Sequence, residues 1–118
     1  MFRALAAVAL AHLFMGVPAQ AQQMAYTGNS MGVGAGKCAT YRMDLEVTVE
    51  GSAVKGHLKQ QGRPDRGFET TLGAAGALKA KAVVGNGESM DVSGTINDKE
   101  ARILLDGYCK FEFRLTRK

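Results

Sequence analysis

Along residues 41–50 the chain alternates without an error. Tyr41, Met43, Leu45, Val47 and Val49 are apolar, and Arg42, Asp44, Glu46, Thr48 and Glu50 are polar. Successive side chains of a strand point to opposite faces, so this pattern predicts a strand with one dry and one wet face. The same period of two recurs over 53–60, 68–72, 78–84, 89–96, 101–105 and 109–116. Turn residues separate these segments: Gly51-Ser52, the Gly/Pro/Asp-rich stretch 61–67, Gly73 to Gly76, Gly85-Asn86-Gly87, 97–100 and Asp106-Gly107. No segment carries the helical period. A two-residue turn at Gly51-Ser52 predicts a register as well: Val49 faces Val54, Val47 faces Gly56 and Leu45 faces Leu58. On the wet face Glu46 then meets His57, and Asp44 meets Lys59.

Seven such strands with short turns make an all-β protein. The expected architecture is a small antiparallel up-and-down meander closed into a 7–8-stranded barrel. An open β-sandwich or meander with the same dry face is the alternative. An antiparallel barrel closes only with an even number of strands. Residues 23–27 can supply the eighth by pairing with the last. The rest of the Gly-rich segment 22–37, with Gly28, Gly32, Gly34 and Gly36, reads as a lead-in or loop ahead of the 38–118 domain.

The first 21 residues change the picture of where the protein lives. A short positive start (Arg3), an Ala-rich apolar run over 4–17, Pro18 and Ala19-Gln20-Ala21 form the sequence signature of a cleaved signal peptide, with cleavage after Ala21. The apolar run is too short for a stable membrane span. Removing 21 of the 118 residues leaves 97, with 14 basic residues (Arg3 being lost) against 11 acidic ones. That mild excess gives no reason to expect nucleic acid as a partner. Cysteine usage fits export, since Cys38 and Cys109 are an even pair for an oxidising route. A bridge between them closes nearly the whole domain, worth about 4 kcal/mol in the chain-entropy picture. Strict alternation puts Cys38 on the wet face and Cys109 on the dry one. The bridge therefore requires a break in the strand between Cys38 and Tyr41, or a Cys38 loop folded over the barrel end.

Catalytic chemistry finds little support. The run Gly32-Val33-Gly34-Ala35-Gly36-Lys37-Cys38 fails as a phosphate loop, because Met31 and Cys38 stand where Gly and Ser/Thr are needed. The one histidine beyond residue 21, His57, falls on the wet face beside Glu46, far in type from a catalytic triad. No Cys/His set suits a metal, and parity turns no acid pair inward for hydrolysis. The expectation is therefore no enzyme, no metal and no cofactor.

What remains is binding. The loop 61–67 offers Arg63 and Arg66 to a partner, with Lys55, Lys59, Lys79 and Lys81 on neighbouring wet faces and Glu69 among them. The loop 85–88 is a second place for contact. On the dry face, small residues beside large ones make Leu58, Ala80, Gly94 and Phe111 candidates to line an interior cavity. The expected function is an exported, disulfide-stapled, non-enzymatic binding protein that takes a small apolar ligand or an exported protein. An inhibitor or interaction module for an exported protein or an anionic envelope surface is the second reading. A small outer-membrane barrel is the third, disfavoured by short strands and the lack of aromatic girdles.

Overall fold

A computed structural model describes residues 23–34, 36–84 and 88–118. The segment 1–21, expected to be a signal peptide, and the turn expected at 85–87 lie outside the described residues. Eight strands follow one another along the chain. They are β1 (Gln23–Val33), β2 (Arg42–Glu50), β3 (Ala53–Lys59), β4 (Arg66–Thr71), β5 (Ala77–Val84), β6 (Glu88–Ile96), β7 (Glu100–Asp106) and β8 (Lys110–Arg117). They form one antiparallel sheet in the order β4-β3-β2-β1-β8-β7-β6-β5. The sheet curls into a nearly closed barrel with one unsealed seam, between β4 and β5.

The β2–β3 register is the one the alternation predicts, with Val49 opposite Val54, Val47 opposite Gly56, Leu45 opposite Leu58 and Asp44 opposite Lys59. Gly51 takes φ +65°, the left-handed value that the two-residue turn requires. The inward positions of β2, β3 and β7, and those of β8 up to Leu115, are buried, and together they make a single apolar core. Phe68 of β4 sits opposite Gly56, and any Cβ at Gly56 would lie 2.1 Å from its ring. The aromatic thus covers the missing side chain of the facing glycine. Lys55, Lys59, Lys79 and Lys81 are exposed on the outer face, where a lipid-facing barrel carries its apolar side chains.

Two expectations need correction. The Gly-rich segment is not a loop over 28–33, since β1 continues to Val33 and pairs with β2 from Gln23 to Met31. Its strand glycines, Gly28 and Gly32, serve close approach, because a Cβ there would lie 2.9 Å from Leu115 and 2.0 Å from the Cys38 carbonyl oxygen, respectively. The loop after β3 also ends earlier than its composition implies. Arg66 and Gly67 already belong to β4 and pair with Leu58 and His57.

The disulfide is formed between Cys38 and Cys109, with Cα atoms 5.5 Å apart. A 3-10 turn, Gly36–Thr40, lies between β1 and β2 and supplies the break that the parity of the two cysteines demands.

Candidate functional site

The outer face is not uniform. A groove of about 580 Å³ crosses β2, β3, β4 and β5 and is walled by Glu46, Lys55, His57, Glu69 and Lys81. The reason is local. Gly67 occupies an outward position of β4, so one side chain is missing from the outer layer, and Lys55, His57 and Glu69 stand around the gap. The same groove reaches Arg66 and Phe68 and spans the unsealed seam to Lys81.

The seam has a definite structure. The chain turns from β4 to β5 through residues 72–76, with Ala75 at φ 59°. Gly73 N–H donates to the Ala77 carbonyl at 2.7 Å, as the first rung of a hairpin should. The next rung is displaced. Thr70 Oγ1 donates to the Lys79 carbonyl at 2.7 Å and occupies an acceptor that a continuing ladder would use. No ladder follows between the described residues of the two strands. Burial reflects this, since Arg66, Thr70, Leu72 and Ala80 share the inward parity of Phe68 or Leu78 yet remain half-buried.

The electrostatics of the groove are mixed. Glu46 pairs with Lys118, whose hydrogen bond and charge hold the carboxyl below the usual glutamate range. His57 stands opposite Glu46, as the alternation predicts, and its Nε2 lies 3.1 Å from Oδ2 of Asp65, the acid it hydrogen-bonds. Lys81 Nζ donates to Asp91 at 2.6 Å. Lys55 faces Glu69 across the β3–β4 pair. Arg66 differs from all of these: its Nε is buried and has no hydrogen-bond partner. A buried donor left unmade costs about 1–3 kcal/mol, which an incoming acceptor can recover. The chemistry present is hydrogen bonding and ion pairing. Among the described residues no hydroxyl or thiol is hydrogen-bonded to the His57 ring, and no group of three or more His, Cys, Asp or Glu is placed to hold a metal ion.

Of the residues the sequence singles out, Arg66 lines the groove, while Arg63 is exposed in the preceding loop, its N–H bonded to the Gln60 carbonyl. Leu58 and Phe111 are packed in the core, and Ala80 sits beside the seam. Gly94 opens onto a second outer groove of about 480 Å³, beside Arg102, Leu104, Glu112 and Arg114. The contact loop at 85–88 falls largely outside the described residues. Sequence reasoning passed over Gly67, whose missing side chain leaves a gap in the groove wall, and Thr70, whose hydroxyl spans the seam to the Lys79 carbonyl. The parity of Lys55, Glu69 and Lys81 was readable, but not the register that gathers them. No protein-family model, curated protein or solved structure matches this chain.

Proposed function

We propose that this is an exported, non-enzymatic binding protein that acts through the groove along the β4–β5 seam. The carrying observation is Arg66, whose Nε is buried without a partner in the wall of that groove. Enzymes place titratable groups of shifted pKa around a reacting centre. Among the described residues the acids held below their usual range, Glu46 and Glu100, owe the shift to surface pairing with Lys118 and with Arg114 and Arg102. The Cys38–Cys109 bridge is compatible with an oxidising compartment. Together with the segment 1–21, read as a signal peptide cleaved after Ala21, it supports a periplasmic or secreted protein. The charged outer face supports a protein surrounded by water, and among the described residues no helix is long and apolar enough to cross a membrane.

The test is native mass spectrometry of the mature protein taken from its own compartment. The wild-type protein is expected to carry a stoichiometric bound mass that leaves on activation and is missing from Arg66→Ala. A bare mass for the wild type, or the same adduct on the variant, contradicts the reading.

A further inference from the structure

The seam offers more than a charged groove. Leu72 N–H donates to the Ser52 carbonyl at 2.8 Å, which sets the phase of the β3–β4 ladder. Even-numbered residues of β4 therefore bond to β3, and Gly67, Glu69 and Thr71 turn their N–H and C=O groups toward the seam. On β5 the carbonyls of Ala77 and Lys79 face the seam, and the same phase turns the backbone groups of Lys81 and Val83 there too. Two rows of backbone donors and acceptors thus face each other without a ladder.

Resting on the reading of this groove as the binding site, we infer that the seam accepts an added β-strand, an extended peptide segment with apolar and acidic residues in alternation. A row of backbone groups repeating every second residue is matched by another extended backbone, the mode of strand addition at sheet edges. The two faces of the incoming strand meet different surroundings. Its inward side chains lie against Leu72 and Ala80, the half-exposed apolar margin of the core. Its outward side chains lie between Lys55, which faces Glu69, and Lys81, which is paired with Asp91, with Glu46 engaged by Lys118; Arg66, from an inward position of β4, lines the same groove. An acidic side chain there supplies the acceptor that Arg66 Nε lacks.

Parts of β4 and β5 approach within 8 Å between Cα atoms. A strand between them needs two spacings, about 9.5 Å in all. Entry therefore begins at the Arg66 and Val83 end, where among the described residues no hydrogen bond spans the seam, and proceeds by releasing Thr70 Oγ1 from the Lys79 carbonyl.

The test uses the mature protein, amide exchange read by NMR, and two synthetic heptapeptides, one alternating Val and Glu and one alternating Val and Lys. In the free protein the amides of Gly67, Glu69, Lys81 and Val83 should exchange quickly. The Val/Glu peptide should slow them by about tenfold or more, as ladder bonding does. The Val/Lys peptide should bind at least about tenfold more weakly, because it sets like charges beside Arg66 and the lysines. Seam amides already protected in the free protein would show a closed ladder and overturn the inference. Peptide-induced shifts at Lys55, His57 and Arg66 with no seam protection would also overturn it, while leaving groove binding intact. Protection that grows with protein concentration alone would make a second copy the occupant and overturn it too. If neither peptide binds, strand addition fails, and a bound native mass on the wild-type protein would still stand for the groove.

Discussion

The barrel has two places where it must close, and they behave in opposite ways. β1 and β8 are far apart in the chain, yet they pair at both ends of their contact, Tyr26 with Arg117 and Thr27 with Thr116, Gly32 with Phe111 and Val33 with Lys110. β4 and β5 are neighbours joined by a short turn, yet they form no ladder. Sequence proximity lowers the entropy of bringing strands together but does not decide whether they stay paired. Side chains decide it. At the first closure the Cys38–Cys109 bridge lies beyond the Val33–Lys110 end, while at the other end Tyr26 is buried with its hydroxyl donating to the Asn97 carbonyl at 2.7 Å, and Lys118 N–H donates to the Ala25 carbonyl at 2.9 Å. At the second, inward positions hold Arg66, Thr70 and Ala80, which offer little apolar surface, and Thr70 takes the acceptor that the next rung needs.

The strongest way to break this contrast is to remove the bridge. A Cys38→Ser, Cys109→Ser variant frees a loop with a sequence separation of 71. The expected loss is about 4 kcal/mol in the chain-entropy model, read as a lower urea midpoint with a steeper slope, because the unlinked denatured chain exposes more surface. A loss below about 1 kcal/mol would mean that strand pairing alone seals this closure.

Tyr26→Phe probes the same closure more gently. The ring stays buried and only the hydroxyl bonded to Asn97 is lost. About 1 kcal/mol of destabilisation is expected. In the wild type, burial first of all raises the Tyr26 phenol above its ordinary value. Its contribution is therefore complete below the ordinary tyrosine range and lost as pH rises through the raised value. An alkaline stability curve that is the same for Tyr26→Phe and wild type would contradict this.

Much of the fold was legible in residues 41–116 because alternation and turn residues agree there. The β2–β3 register followed from two residues, Gly51 and Ser52, since a slip by one would turn Val47 and Leu45 to water. β1 was only half legible. Its inward positions include Gly28, Ser30 and Gly32, which carry no hydrophobic signal and have meaning only beside Leu115 and Cys38. The open seam was not legible at all. Leu72 and Leu78 flank a turn signal as good as the others, and nothing local says that the Thr70 hydroxyl prefers the Lys79 carbonyl to water. The candidate site was legible in part: charge and parity pointed to Arg66, Lys55 and Lys81, while the groove depends on Gly67 falling in a strand.

The open seam can be sharpened by closing it. Thr70→Val keeps the shape of the side chain but releases the Lys79 carbonyl, which then becomes free to accept from Thr71 N–H. Stability should change by no more than about 0.5 kcal/mol, since the site is half-exposed. The clearer readout is amide exchange at Glu69 and Thr71, expected to slow in the variant. Unchanged exchange would show that Thr70 is not what holds the strands apart.

The smallest expected effect belongs to the sealed side. Glu46 on β2 pairs with Lys118, just beyond β8, so this ion pair reaches across β1 and ties the closure from outside. The hydrogen bond from Lys118, then its charge, lower the Glu46 carboxyl below its ordinary 4.5. A depressed folded value means that the stabilisation is present above the ordinary glutamate value and lost as pH falls through the lowered one. Both partners are about half-exposed, so solvent holds the contribution to about 0.5 kcal/mol or less. Glu46→Gln should therefore lower the urea midpoint slightly at neutral pH and match wild type in acid. A deficit that persists in acid would assign Glu46 a role other than this pair. A variant as stable as wild type at every pH would leave the seal of β1 to β8 to the bridge, Tyr26 and the backbone alone.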